Sequence, residues 1–516
     1  MAVDYFPAAT ADCPTFVEDT EWHPLVDGAR YFAELDEQLH GLGEGDAVLV
    51  AGLTVDPDLD LCGRAPGDPD FAPLGGRLAE AAAAGATIRV LIAGRVWASS
   101  IPSDALGGFR TNAQRARRLR AWTLEGAATP PLAGCVLLDF SGALLGSNHQ
   151  KVVVVVRGGV LTAYVGGIDL EMERLDNASH DTLRLKGNRW GWHDAAVRLR
   201  GRAAVEVWQE LNSRWKEAST LPRKKWLRRL PVVEPLNPGD IARPADSTPA
   251  GRLVSRQPPV EQPGVSVRVL RSMPAHKFES LLPGRTLEWD YQTEDRPRGV
   301  QDVFHTLTTA FAAAQRYIYL EDQYLGEELG GRPQFELYPA LLAALRRGVR
   351  VILVGSGIRD PDDAGYHPWP INRRLNRDLR DKIFDRLSPR ERPNFVVARI
   401  EHATVHAKLV LVDDAFACVG SANMFSRSMG GVDRELSTAV QTSTSLVRDL
   451  RVALWAEHLR TPLTDELRES LADLDQALGI WNADWLVPGA ATTTWRSAGE
   501  PAGFAPRESV VRRVDA

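Results

Sequence analysis

A chain of 516 residues, 44% hydrophobic and 25% charged, holds enough apolar material for two large lobes, and its formal charge of −6 argues against a protein that coats nucleic acid, which would be basic. Its start, MAVDYFPAATADCPTFVED, lacks a basic stretch followed by an apolar one, and no apolar run reaches the roughly 18 residues of a membrane span. The expectation is a cytoplasmic chain without a secretory leader or transmembrane helix.

Strands and helices alternate along two similar stretches. In the first, Asp46–Val55 reads as a strand, Pro73–Gly85 as an Ala-rich helix, Thr87–Ala93 as a strand and Arg110–Glu125 as a basic helix. Cys135–Phe140, His149–Val156, Leu161–Val165 and Asp194–Arg200 read as further strands, and Gly201–Ala218 as a helix. The second stretch repeats the order: helix Gln301–Arg316, strand Tyr317–Leu325, helix Glu336–Arg347, strand Arg350–Gly355, helix Asn372–Leu387 and strand Phe395–Ile400. Strands His406–Asp413, Phe416–Gly420 and Glu435–Gln441 follow, then a closing helix Ser443–Arg460. This pattern predicts an α/β fold of two similar lobes with mixed sheets, covering 1–219 and 265–490. A Pro- and Arg-rich linker at 220–264 and a loop-like tail at 491–516 complete the division. Trp208, Trp215 and Trp455 fall on helices and are expected in the core. Cys13, Cys62, Cys135 and Cys418 form no CxxC pair, so neither a zinc site nor a disulfide framework is outlined. Cys418, in an apolar run, is expected as a buried free thiol.

The strongest chemical pattern is His406-Ala-Lys408, four apolar residues, Asp413, six residues, then Gly420-Ser421-Ala422-Asn423. Strand alternation puts His406 and Lys408 on one face. An earlier copy reads Asn148-His149-Gln150-Lys151, a valine run to Val156, then Gly166-Gly167-Ile168-Asp169. Two histidine–lysine pairs meeting at one site suit attack on phosphorus. One neutral imidazole makes a P–N bond, and the other, protonated, serves the leaving oxygen and then accepts a proton from water or an alcohol. Lys151, Lys408, Ser421 and Asn423 would hold the non-bridging oxygens. Imidazole, ammonium and amide groups suffice for this chemistry, so neither a metal nor another cofactor is expected.

These motifs resemble the phospholipase D superfamily, whose signature of HxK, four residues, Asp, six residues and GSxN occurs twice. The segments Trp192-His193-Asp194, YIYLEDQY at Tyr317–Tyr324 and Asp433-Arg434-Glu435-Leu436 carry the likeness further. The resemblance implies one active site at the lobe interface, with His149 as nucleophile and His406 as acid and base. It also implies a carboxylate behind each histidine: by position, Asp194 for His149 and Glu435 for His406. Two departures stand out. Val156 replaces the first motif's Asp, and Gly166-Gly167-Ile168-Asp169 replaces GSxN in a form similar to plant-type phospholipases D. Asp413 is expected as a structural acid, and His193 reads equally as a pocket histidine or a surface turn.

The implied substrate is a phospholipid headgroup ester, with water or an alcohol as acceptor and no nucleic acid partner. A lipid-targeting module ahead of Asp46 is not expected, since it needs roughly a hundred residues more. Lys224–Arg229 (KKWLRR) would suit peripheral contact with an anionic membrane, but reads better as a solvated linker. Asp360-Pro361-Asp362-Asp363 reads as a turn. Three rivals stay open: a phosphodiesterase or nuclease of the same superfamily, a transferase acting on a small metabolite, and a non-catalytic scaffold in which His149 and His406 do not meet.

Overall fold

The run Lys151–Arg157 (KVVVVVR) is β-branched throughout its centre, as a strand covered on both faces requires, and it lies in the middle of a seven-stranded sheet. The computed structural model describes residues 3–94, 112–139, 146–180, 191–220, 259–260, 262–274, 277–279, 286–288, 299–323, 332–356, 378–400, 403–460, 462–479, 481 and 511–513. The linker segment Lys224–Arg229 and Asp360–Asp363 lie outside them.

In spatial order the first sheet is β1 (Thr20–Val26), β8 (Ala195–Gly201), β6 (Val160–Gly166), β5 (Lys151–Arg157), β2 (Ala47–Gly52), β3 (Thr87–Ala93) and β4 (Val136–Asp139). The second is β12 (Val300–Gln301), β9 (Val265–Met273), β19 (Glu435–Thr442), β18 (Phe416–Gly420), β17 (Lys408–Val412), β13 (Tyr317–Asp322), β14 (Arg350–Ser356), β15 (Phe395–Ile400) and β20 (Val511–Arg513). With the edge strands β12 and β20 set aside, the two orders match strand for strand. In each, three parallel strands (β2, β3, β4 and β13, β14, β15) continue into antiparallel ones. The duplicated α/β architecture expected from the sequence is therefore present.

Alternation along each strand builds three cores. Val48, Val50, Val153 and Val155 face outward under α1 (Gly28–Leu39), α2 (Leu74–Ala83) and α3 (Asn112–Arg120). Ile318, Leu320, Val410 and Val412 do the same under α5 (Asp302–Ala313) and α6 (Tyr338–Arg346). The inner faces of both sheets share one core with α4 (Arg202–Thr220) and α8 (Leu446–His458), where Trp208, Trp215 and Trp455 are buried as expected. Cys418 is a buried thiol, as expected, and none of the four cysteines is in a disulfide.

Several boundaries differ from the sequence reading. The N-terminal segment, assigned to the first lobe, packs on the second: Tyr5 and Phe6 rest on Phe416, and Phe16 bridges to Val267. The tail, expected to be loop-like, supplies β20, because β15 leaves an open edge that Val511–Arg513 pairs with. The sequence reading also omitted β1, α1 and β9, although apolar residues recur at helical spacing in α1 (Tyr31, Phe32, Leu35, Leu39) and alternate with polar ones along the start of β9 (VSVRV).

Asp413 sits in a turn at φ 54° and accepts hydrogen bonds from the backbone N–H groups of Gln315, Arg316 and Tyr317 (2.7, 2.8 and 2.9 Å) and from Tyr5 Oη (3.0 Å). It ties α5 to the sheet and joins the N-terminal segment to it. Asp413→Ala should lower stability by about 2–3 kcal/mol, the scale of lost hydrogen bonds to a charged group, while leaving the site's chemistry intact. Urea unfolding and turnover, measured side by side, check this. Val156 takes the corresponding sequence place but lies inside β5, 1% exposed in the core between the sheets. Val156→Asp should therefore cost about 3–5 kcal/mol by burying an unpaired carboxylate, a loss visible as a lowered melting temperature.

Candidate active site

The two motif histidines lie just ahead of strands β5 and β17, which Lys151 and Lys408 begin, so the pairs do not share a strand face in the way alternation predicts. Each lysine instead bends back to its own motif. Lys151 Nζ donates to the His149 carbonyl at 3.0 Å, and Lys408 Nζ donates to the His406 carbonyl.

Two short parallel contacts join the lobes here. Strand β7 (Gly191–His193) pairs with β16 (Ala403–Val405), and Asn148 bridges to Arg434. Their ends are equivalent: His406 N–H donates to the His193 carbonyl at 2.7 Å, and His149 N–H donates to the Arg434 carbonyl at 2.9 Å. Each histidine is thus anchored to the residue that precedes the other lobe's acid.

The acid partners follow from this and correct the sequence reading. His406 Nδ1 lies 2.7 Å from Asp194, and His149 Nδ1 lies 3.0 Å from Glu435. Asp194 does not serve His149, nor Glu435 His406; each carboxylate crosses to the other lobe. Linear order within a repeat suggests a partner in the same lobe, whereas the pseudo-twofold places each motif opposite its counterpart's acid. Both Nδ1 atoms face acceptors, including the Ser421 carbonyl at 3.0 Å from His149. Each therefore carries the proton, and Nε2 is left with its lone pair.

Glu435 is held from behind by Ser421 Oγ at 2.6 Å and Ser428 Oγ at 2.7 Å. This corrects a second expectation: the Ser421 hydroxyl fixes the carboxylate and does not present itself to a phosphate. At the matching place, Gly167 has no room for a side chain, since a Cβ there would lie 2.1 Å from Asp194 Oδ1. The shorter Asp194 sits against bare backbone and accepts from Ala195 N–H at 2.8 Å. Asn423, buried, has no hydrogen-bond partner for Oδ1 among the described residues.

Three side chains that the sequence reading left without a role complete the site. Asp169, in the place of Asn423, pairs with Lys151 at 3.3 Å. Arg174 lies 3.4 Å above the Trp192 ring, and Trp192 meets His406 edge-on at 5.3 Å. The repeat alignment could have flagged Asp169; nothing in the local sequence singles out Arg174.

The electrostatics bind these groups together. Burial opposes ionisation of Asp169, yet Lys151, Arg174, His406 and His149 jointly hold its carboxyl below the usual range. Each motif histidine is hydrogen-bonded to the other lobe, His149 to Glu435 and His406 to Asp194, so both motifs lie at the lobe interface. Burial, followed by Lys408, Arg174 and Lys151, holds the His406 imidazole well below its ordinary value. Burial raises the Asp194 carboxyl against the pull of Lys408. Burial, aided by Lys151, lowers the Lys408 ammonium. His193 is fully buried between the lobes, which rules out the surface-turn reading.

Residues 307–454 match the family model described as "Cardiolipin synthase, PLD-like domain". The chain is 24% identical over 467 residues to phospholipase D alpha 3 of Arabidopsis thaliana, covering 69% of this chain and 54% of that protein. It is 26% identical over 480 residues to phospholipase D alpha 2 of Oryza sativa subsp. japonica, covering 72% and 56% respectively. The chain therefore spans about half the length of these relatives. Its fold superposes on phosphatidylserine synthase of Haemophilus influenzae Rd KW20 with a TM-score of 0.53 at 13% identity, covering 92% of this chain and 94% of that one. Among the described residues no helix is long and apolar enough to cross a membrane. Two histidine–lysine motifs on a duplicated sheet, together with these matches, support membership of the phospholipase D superfamily.

Proposed function

We propose that the protein hydrolyses phospholipid headgroup esters, or exchanges the headgroup for an alcohol, through a phosphohistidine. The observation that carries this reading is the crossed pair of imidazoles, each held at Nδ1 by a carboxylate of the other lobe so that Nε2 remains for phosphorus. His149 Nε2 attacks phosphorus as the bond to the headgroup oxygen breaks, and His406 protonates that oxygen. His406 then takes a proton from water or an alcohol, whose oxygen attacks phosphorus as the P–N bond breaks. In the free site burial and the cations around it disfavour the charged form of His406. An anionic phosphodiester offsets the field of Lys151, Lys408 and Arg174, so His406 gains its proton as substrate binds. The same cations stabilise the charge on the non-bridging oxygens, and no step calls for a metal. In this reading the chain is cytoplasmic and meets lipid at the membrane surface.

The test is an assay of the purified full chain on vesicles of phosphatidylcholine, phosphatidylethanolamine and phosphatidylglycerol, and on bis(p-nitrophenyl) phosphate. Phosphatidate release, with phosphatidylethanol formed in ethanol, is the expected result. Cleavage of the nitrophenyl ester alone would move the protein to the non-lipid phosphodiesterases. Cleavage of neither would overturn the enzymatic reading.

A further inference from the structure

Directly behind His406 lies a second set of titratable groups that the proposed reaction does not use. Asp27, ahead of α1, His180 and His193 come from the first lobe and are buried, and Glu457, half-buried, comes from α8 of the second with its side chain 7% exposed. One ligand-type atom from each lies within 4.8 Å of all the others. His193 Nδ1 is 2.6 Å from Glu457 and 3.3 Å from Asp27, and His180 Nε2 is 3.1 Å from Glu457.

Two features distinguish this set from an ordinary ion-pair cluster. First, His193 Nδ1 is fully buried, lies close to two carboxylates, and makes a well-directed hydrogen bond to neither. Its nearest oxygens, on Glu457 and Asp27, stand at ion-pair distance without a directed N–H···O bond. Around a tetrahedral ion with bonds of about 2.0–2.1 Å, ligand atoms stand about 3.4 Å apart, close to two of the three separations here. Second, the far nitrogen of each imidazole is held by a further carboxylate: His180 Nδ1 by Asp176 at 3.3 Å and His193 Nε2 by Glu321 at 2.8 Å. Glu321 is itself fixed by Tyr319 Oη at 2.5 Å and His458 Nε2 at 2.8 Å. A carboxylate behind each imidazole is the arrangement that orients metal-binding histidines and strengthens them as donors.

We propose that Asp27, His180, His193 and Glu457 bind one divalent transition ion, zinc by preference, as a closed four-ligand site that joins the lobes. The two ligating carboxylates balance its charge, and the mixed nitrogen and oxygen donors suit zinc. The ion takes no part in the reaction. It fixes strand β7, whose next residue is Asp194, and so fixes the carboxylate that orients His406. The imidazoles compete for protons as well: burial opposes charge on His180, but Asp176 and Glu457 raise it to about 9. The rival occupant is therefore a pair of protons, giving an ion-pair network alone.

The full chain, made without a histidine tag in zinc-supplemented medium, is analysed for metals by mass spectrometry. The expected result is about one zinc per chain, retained through dialysis against EDTA because the site is closed and buried. His180→Gln and Glu457→Gln should reduce the metal to background, and His149→Gln should keep it. A cobalt-substituted protein should show the visible absorption of a tetrahedral cobalt centre, and X-ray absorption should report nitrogen and oxygen ligands without sulfur. This reading needs no variant, so it decides even if the substitutions prevent folding. Folded wild-type protein that carries no stoichiometric metal and takes up neither zinc nor cobalt would overturn the proposal. So would metal that stays in both variants.

Discussion

His149→Ala protein is expected to form no covalent intermediate with any phosphodiester, whereas His406→Ala protein should accumulate one. Both should lose turnover on an unactivated lipid by more than about 10⁴-fold, the scale seen when a member of a cooperating catalytic set is removed. The asymmetry appears with an activated ester. A nitrophenolate leaves without protonation, so His149 can still be phosphorylated in the absence of His406. The adduct then persists, because no base remains to activate water. Quenched mass spectrometry should find the substrate-derived mass on the peptide holding His149. A label on His406 in the His149→Ala protein would exchange the two roles, an outcome consistent with the downward pull that burial and three cations exert on the His406 imidazole. Full turnover in both variants without label in either would refute the phosphohistidine reading.

The crossed carboxylates make the second large prediction. Glu435→Gln should behave like His149→Ala, and Asp194→Asn should behave like His406→Ala, each slowing turnover by roughly 10²–10⁴-fold, the range of an acid–base contribution. With the activated ester, Asp194→Asn should therefore still build an adduct on His149, while Glu435→Gln should not. The distances behind this are the 2.7 Å contact of Asp194 with His406 and the 3.0 Å contact of Glu435 with His149. The opposite pattern would mean that each acid serves the histidine of its own lobe. Circular dichroism melts show whether either protein has lost its fold, which adduct formation by Asp194→Asn would itself argue against.

Most of what positions the site was legible in the sequence. The valine run of β5 and the apolar stretches of β13, β14 and β17 are buried on both faces, and such strands announce themselves by composition alone. The motif histidines and lysines were found because their spacing repeats. What stayed hidden depends on how the halves meet. The crossing of Asp194 and Glu435 is set by two short parallel contacts, β7 with β16 and Asn148 with Arg434, which no periodicity encodes. Ser421 was misread for a related reason. Its hydroxyl has one geometry available beside a lone phosphate and another beside Glu435, and only the folded chain brings Glu435 to 2.6 Å. The first sixteen residues were assigned to the nearer lobe in sequence, but Tyr5 and Phe6 find their apolar surface at Phe416.

The crossed carboxylates also give the protein a timetable. Glu435 follows His149 by 286 positions, and His406 follows Asp194 by 212. On the ribosome the first histidine therefore emerges long before the acid that orients it, and the first acid long before the histidine it serves. A nascent chain, or one cut short after its first lobe, displays a reactive-looking motif with nothing to aim it. Competence arrives at once, when the second lobe closes on the first, so the two motifs can act together only after both lobes have been made.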